Sequence, residues 1–485
     1  MNGKVRYTTT QRGARKAVHG GYLYTFHREV KLGASWRCEL RGRCNGRMVV
    51  DGRDYVVADT ETSHSHAPDW GRAKAEETVQ NIKKAAATSR ASTASVIQAK
   101  VSRVSDETAM RLPKFANLKK MVRRVKRKDL PPEPKDLAEL EQIPRQFTTT
   151  VKGDRWLLHY NPEDDEKMVI FSSNNHLKLL LKSALWVMDG TFKASPHIFC
   201  QIYAIHGNVN GKWLPLVIAL LERKTRATYE HLFEVLKEEV RRRLRKTLAP
   251  AAVSTDYEQG AIKAAQEIFP DCQVFGCLFH FGQVLWRKLQ AEGLAVAYRT
   301  EENEQMRTDF HCLIAIAFVP VDDVEEVFDA LAAGADAALN AVFQHVEENF
   351  LRGRLRARRR GGRVLTRAAP MFPPDIWNCY ERTVQGLPRT TNTCEAWHRR
   401  LGTLVGKHHP SLFVFLDQLQ EEIGEVDVQI TRAEGGYTPV KRRSALEAAE
   451  ARINRIVERY AEYKEHGDVP TYIQAIGHNL GGRFH

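Results

Sequence analysis

Residues 184–192, ALWVMDGTF, decide how this chain is read. Ala184 to Met188 is apolar enough for a buried strand, and the run stops at Asp189 and the turn-forming pair Gly190-Thr191. A carboxylate at the end of a buried strand is costly unless something positive meets it. Outward from this stretch, HIFCQIYAIHG and WLPLVIALLE read as two further strands, each bounded by turn or polar residues. A helix follows, TYEHLFEVLKEEVRRRL, apolar at Leu232, Phe233, Leu236 and Val240. Then come a strand in AAVSTDYE, a helix in GAIKAAQEIF and a strand in QVFGC. Upstream, RWLLHYNPEDDEKMVIF reads as a hairpin and residues 174–182 as a helix.

Three strands, helix, strand, helix, strand describe an α/β mixed sheet with helices on its faces, an order that suits an RNase H-like fold. Asp189 ends the first strand and Asp256 the fourth, so neighbouring strands could bring the two acids together. Carboxylates held close repel unless a cation lies between them, and the missing positive charge is expected to be Mg2+ or Mn2+. Two such ions bridged by Asp and Glu oxygens are a standard solution for attacking a phosphodiester. A third acid is available in LPRTTNTCEAWHRRLG, where Glu395 lies on a helix that opens after a polar turn. One turn along, His398, Arg399 and Arg400 could meet phosphate oxygens. Asn392 with Glu395 also fits a capping-box spacing, which would make the acid a helix cap instead.

The length of 485 residues exceeds one ordinary core, and 43% hydrophobic with 27% charged residues is the composition of a soluble globular protein. No apolar run reaches a membrane span, the amino terminus has no apolar signal region, and an intracellular protein would keep its eight cysteines reduced. A net charge of +14 is concentrated in runs: KKMVRRVKRK at 119–128, with Lys119, Lys120, Arg123 and Arg124, and RGRLRARRRGGR at 352–363, with Arg356, Arg358 and Arg359. Such runs are commonly solvated faces; two of them point to a polyanion partner, and the first would also serve as a nuclear-import signal.

In residues 1–70, WRCELRGRC supplies Cys38 and Cys44, and HSHAP supplies His64 and His66. Two thiolates and two imidazoles complete a tetrahedral zinc shell, the staple a segment this short needs. Four strand-like stretches flank it, GGYLYTFHREV, SWRCEL, GRMVVDG and DYVVADTE, so a small zinc-bound antiparallel β domain is expected. Residues 71–145 then change to helical periodicity with a basic face, ending in PPEPKDLAELEQIP, which reads as a linker.

The order Trp-x-Cys, Cys, His-x-His resembles the FLYWCH zinc-binding domain, related to WRKY-type DNA readers. The resemblance implies DNA binding by a strand edge, with which Arg12, Arg15, Lys16 and Arg28 are compatible. DGTF, STDYEQGAIKAAQEIFP, CLFH and RTTNTCEAWHRRL, in that order over roughly residues 150–415, resemble the transposase domain of Mutator-like elements, called MULE. That resemblance implies a catalytic triad of Asp189, Asp256 and Glu395 holding two divalent ions. It also marks Cys277 and His280 as the family's Cys-x-x-His element, able to assist the active site, grip DNA or serve packing alone. Residues 146–290 and 371–410 would form the two parts of the catalytic core. Residues 291–370 would form the all-helical insertion carried before the last acid, and 411–485 amphipathic helices for the core or a second protomer. The expected function is a DNA transposase of the nucleus that binds terminal inverted repeats and target double-stranded DNA, with no membrane role and a possible homo-oligomer. The alternatives are a domesticated transposase acting as a non-catalytic DNA-binding regulator, and an RNase H-type nuclease on hybrids.

Overall fold

The computed structural model describes residues 4–9, 14–59, 64–89, 93–128, 130–356, 366–436 and 445–481. The chain divides into two compact units, Met1–Pro132 and Glu133–His485.

The first unit begins with a six-stranded antiparallel meander of β1 (Arg6–Thr9), β2 (Arg15–His19), β3 (Tyr22–Val30), β4 (Gly33–Cys38), β5 (Arg47–Val50) and β6 (Val56–Asp59). The first two strands are additional to the four expected. They are short, and β2 joins β3 through Gly20-Gly21, both at positive φ, the conformation a two-residue hairpin turn requires. Trp36, Tyr24, Met48 and Val50 form the small core. Four helices follow: α1 (Trp70–Thr88), α2 (Thr93–Val101), α3 (Asp106–Arg111) and α4 (Phe115–Arg127). Asp69 caps α1 by accepting from the Arg72 amide at 2.8 Å, and Ile82, Ala86, Val96, Ile97, Leu118 and Val122 close the helical core.

The second unit is built on a seven-stranded mixed sheet. The hairpin of β7 (Leu157–His159) and β8 (Met168–Phe171) leads through α5 (Asn174–Lys182) to β9 (Leu185–Thr191), β10 (Gln201–Val209) and β11 (Lys212–Leu221). Next are α6 (Arg226–Leu244), β12 (Ala252–Thr255), α7 (Gln259–Ile268), β13 (Gln273–Gly276) and α8 (Leu278–Ala291). The strand order is β13-β12-β9-β10-β11-β8-β7, parallel among β9, β12 and β13 and antiparallel elsewhere. The near-continuous apolar runs of β9, β10 and β11 are buried strand by strand, as a sheet covered on both faces demands.

Beyond α8 the chain stays helical: α9 (Ala295–Arg299), α10 (Glu304–Ala315), α11 (Val324–Gly334) and α12 (Asn340–Val346), then a π-helical turn at Glu347–Leu351. A two-residue ribbon of β14 (Leu355–Arg356) and β15 (Thr366–Arg367) follows, then α13 (Pro374–Trp377), α14 (Tyr380–Val384) and α15 (Asn392–Val405). The tail forms α16 (Leu412–Glu434), α17 (Ala445–Glu458), α18 (Tyr460–Glu465) and α19 (Val469–Leu480). Helix α16 packs on β10, β11 and α15, whereas α19 packs on α10 and α17 on α14, so the tail covers its own chain.

The segment 131–144 does not behave as a solvated linker. Leu137, Leu140 and Ile143 are buried, Tyr160 Oη donates to the Leu140 carbonyl, and the Glu133 carboxylate accepts from the Phe413 amide at 3.1 Å. The apolar residues spaced through this Pro-rich stretch anchor it to the second unit, so the division falls at Pro132 rather than at residue 145.

Candidate active site and candidate metal centre

In the parallel register, Ser254 of β12 lies opposite Val187 of β9, and Asp256, the residue after β12, is near enough to Asp189 for the two carboxylates to repel. Asp189 is 5% exposed, inside the carboxyl half of β9, which runs on to Thr191. Its Oδ1 accepts from the Gly190 amide at 2.9 Å, and its Oδ2 lies 3.3 Å from His398 Nδ1. The Asp256 Oδ1 accepts from the Glu258 amide at 3.3 Å and from Thr255 Oγ1 at 3.4 Å. Burial, then repulsion from Asp189, pushes the Asp256 carboxyl above its ordinary range, against the pull of His280.

Glu395 comes to the same place from α15. Cys394 fixes that helix by donating to the Val187 carbonyl of β9 at 3.4 Å, and His206 Nδ1 of β10 faces the same sulfur at 3.0 Å. Burial raises the Glu395 carboxyl, as does Asp189, while His280 and Arg399 lower it. The helix cap is Thr391, with no side-chain capping bond, and Asn392 lies inside the helix, so Glu395 is not half of a capping box. The Thr391 amide and hydroxyl bond to Cys277 Sγ instead, at 3.2 and 3.4 Å.

The positive charge facing these acids within the chain is an imidazole. His280 Nε2 lies 3.9 Å from Glu395 Oε1. Burial opposes its protonation, but Cys277, then Asp189 and Asp256, outweigh burial and hold its pKa up to about 9. Cys277 is pulled the other way: burial raises its thiol, but the imidazole more than compensates. Cys277 caps the start of α8 and His280 lies in its first turn, so each side chain shifts the other. Cys277 is fully buried, so the structure corrects its assignment as a DNA contact: it holds His280 and the α15 entry.

Sequence reasoning missed a fourth acid. Glu258, two residues after Asp256, is pushed up to about 6 by burial and by Asp256. It also missed Gln201 and Tyr203 of β10. Gly190 is required beside them, because a Cβ there would stand 2.4 Å from Gln201 Oε1. The DYE spacing was a usable signal for Glu258; the close approach of Gln201 was not, since it depends on strand pairing. The donor atoms of Asp189, Asp256 and Glu395 do not all fall within 4.8 Å of one another, the span for sharing one ion, among the described residues. Ion pairs in phosphodiester chemistry stand about 3.5–4 Å apart and need no such closure.

The other expected DNA contacts divide. Arg399 is exposed. His398 is buried against Asp189 and so is committed within the protein rather than offered to phosphate, whereas Arg400 pairs with Glu422 of α16 but stays exposed. On α4, Lys120, Arg123 and Arg124 are exposed, and Lys119 lies over the Phe115 ring at 5.1 Å. Arg356 ends β14, and Arg358 and Arg359 lie outside the described residues. In the finger, Arg12 lies outside the described residues, Arg15 covers the Tyr7 ring at 3.6 Å and Arg28 is exposed. Lys16 is 3% exposed and bonded to Glu39 and Glu76 at 2.8 Å each, so it is a core ion-pair residue and not part of a DNA-facing surface.

Cys38, Cys44, His64 and His66 bring one donor atom each within 4.8 Å of all the others. His66 Nε2 lies 3.3 Å from Cys38 Sγ while its Nδ1 faces the Ala67 carbonyl at 3.0 Å, which assigns the proton to Nδ1 and leaves Nε2 for a metal. His64 is reversed: Nδ1 lies 3.1 Å from Cys44 Sγ and Nε2 faces Tyr24 Oη at 3.1 Å. Tyr22 stacks on the His64 ring at 3.8 Å, and a Cβ at Gly46 would come within 2.2 Å of that ring. Burial raises the Cys44 thiol, but backbone amides of Gly46 and Ser65 overcome it and bring it to about 7. Two thiols and two imidazoles so oriented are a donor set that fits tetrahedral Zn2+.

Asp189, Asp256 and His280 lie within one segment that matches a known family, and the four zinc-type ligands within another; Glu395 lies beyond the first. Residues 185–284 match the MULE transposase domain and residues 7–66 the FLYWCH zinc finger domain. The chain thus resembles a Mutator-like element transposase with an amino-terminal FLYWCH-type finger. A search among curated proteins finds none that matches it. No helix among the described residues is long and apolar enough to cross a membrane.

Proposed function

We propose that this protein is a DNA transposase with an RNase H-like core. The observation that carries the reading is the nearness of three acids from separate elements: Asp189 in β9, Asp256 directly after the neighbouring parallel strand β12, and Glu395 on α15, with Asp189 acting on both of the others. Burial and the nearby Asp189 carboxylate raise the proton affinity of both Asp256 and Glu395, the mark of a site short of cation charge, and the oxygens of the three acids would hold Mg2+ or Mn2+. A bound ion pair supplies activation of the attacking oxygen and stabilisation of the leaving one. The chain's own residues position the strand. His398 fixes the Asp189 carboxylate, and His280, held protonated by Cys277, offers a positive edge to a phosphate and offsets the acids when no cation is bound. The finger, folded by Zn2+ on Cys38, Cys44, His64 and His66, would read the terminal inverted repeats, and the exposed basic residues of α4 would add phosphate contacts. The run at 119–128 would direct the protein to the nucleus.

Incubating the purified protein with Mg2+ and a terminal-repeat duplex tests the reading. Nicking and strand transfer that disappear in Asp189→Asn are the expected result. No nicking by the native chain, with zinc-dependent binding intact in Asp256→Asn, would replace it with a DNA-binding regulator.

A further inference from the structure

A second set of metal-type donors lies at the far edge of the large sheet, separated from β9 by β10, β11 and β8. His159 ends β7, Asp164 lies in the turn of the β7–β8 hairpin, and His231 projects from the second turn of α6. His159 Nε2 is 2.7 Å and His231 Nε2 3.2 Å from one and the same oxygen, Asp164 Oδ2, and the three donor atoms all lie within 4.8 Å of one another. The other carboxylate oxygen accepts from Asn161 Nδ2 at 2.6 Å, which fixes its orientation as an outer-shell partner does for a metal-bound carboxylate.

Two imidazoles and a carboxylate oxygen are borderline ligands that suit zinc-class ions, and tetrahedral bonds of about 2.0–2.2 Å place neighbouring donors slightly over 3 Å apart. The two N–O separations of 2.7 and 3.2 Å differ from that by well under an ångström, and the two imidazole nitrogens lie within 4.8 Å of each other. The side chains keep 15–29% exposure, so an ion can enter from solvent and water can complete its shell. The turn reads Glu163-Asp164-Asp165-Glu166, an excess of negative charge beside two neutralisable imidazoles. Glu166 already grips α6 by accepting from Thr228 Oγ1 at 2.5 Å, so the turn and helix are held in register around the three donors.

We propose that His159, Asp164 and His231 form a His2Asp site for a zinc-class divalent cation, which clips the β7–β8 hairpin to α6. It stands independently of the transposase reading, because its residues come from β7, the β7–β8 turn and α6, and none of them is one of the acids Asp189, Asp256 or Glu395.

The test uses the full-length Cys38→Ser/Cys44→Ser/His64→Gln/His66→Gln chain, in which the finger ligands are gone, titrated with Co2+ and Zn2+. Visible d–d absorption without a thiolate charge-transfer band, and one retained Zn2+ equivalent, are expected. Both should vanish on adding His159→Gln or His231→Gln and survive Asp256→Asn. No tight Co2+ or Zn2+ in that finger-less variant, or binding indifferent to both His159 and His231 replacements, would overturn the site. If either histidine variant misfolds by circular dichroism, protection of His159 and His231 from diethyl pyrocarbonate by Zn2+ reads the same point, and equal labelling with and without Zn2+ overturns it.

Discussion

Gly46 shows how a single missing atom can decide a metal site. Its backbone passes so close to His64 that any Cβ would displace the ring from Cys44. Gly46→Ala is expected to weaken zinc binding on the order of 10- to 100-fold, the loss seen when an outer-shell partner is removed, and zinc content after dialysis measures it. At the acid cluster, Asp256→Asn removes a repulsion that nothing in the metal-free chain fully offsets. It should raise the metal-free melting temperature of the second unit by about 2 °C and abolish stabilisation by Mg2+, both read by calorimetry. The pH dependence has a definite sign. Acids whose folded pKa is raised destabilise the fold above their unfolded value, so stability falls as pH rises from the ordinary carboxylate range through about 6, the value for Glu258. His280 is raised too, so its contribution is complete below 6.5 and lost as pH rises through about 9. Both trends run the same way. Chemical denaturation without metal should show the cluster's contribution declining across that whole span, with His280→Gln flattening only the upper part.

At the scale of elements, α4 and α15 carry the two functions differently. Helix α4 buries Leu118 and Val122 and leaves Lys120, Arg123 and Arg124 in solvent, so charge can be reversed there without touching a core. Replacing all three by Glu should lower DNA affinity across sequences alike and reduce the slope of log K against log salt by about 3, with the circular dichroism spectrum unchanged. Helix α15 cannot be altered so freely, because Cys394, Trp397 and Arg400 bind it to β9 and α16 while Glu395 faces the acids. The periodicity that marked α5, α6 and α7 in the sequence was strong because each has one buried stripe. Strands β1 and β2 went unread because RYTT and RKAVH are short and polar, and only pairing with β3 makes them strands.

The whole molecule is two units with separate cores and separate metal-type sites. Differential scanning calorimetry is expected to show two transitions, with Cys38→Ser removing the cooperative melting of the finger and leaving that of the seven-stranded sheet. A single transition lost as a whole would contradict independent cores. The carboxyl-terminal helices belong to the second unit's cooperative block, since α16 lies on β10 and β11 and α19 on α10.

Local pattern alone marked the strands and helices from 157 to 277 and the four zinc-type ligands, because hydrophobic period and ligand chemistry are properties of short segments; grouping Asp189, Asp256 and Glu395 as a triad rested on the family resemblance. Tertiary structure alone decided what those side chains are free to do. It turned Lys16 from an expected DNA contact into an internal ion pair, buried Cys277, paired the exposed Arg400 with Glu422 and bound His398 to Asp189. It also gathered His159, Asp164 and His231 around one oxygen. Partners such as Arg400 and Glu422, or His231 and Asp164, lie on separate elements, and their meeting depends on strand order and helix docking that no single window of sequence contains.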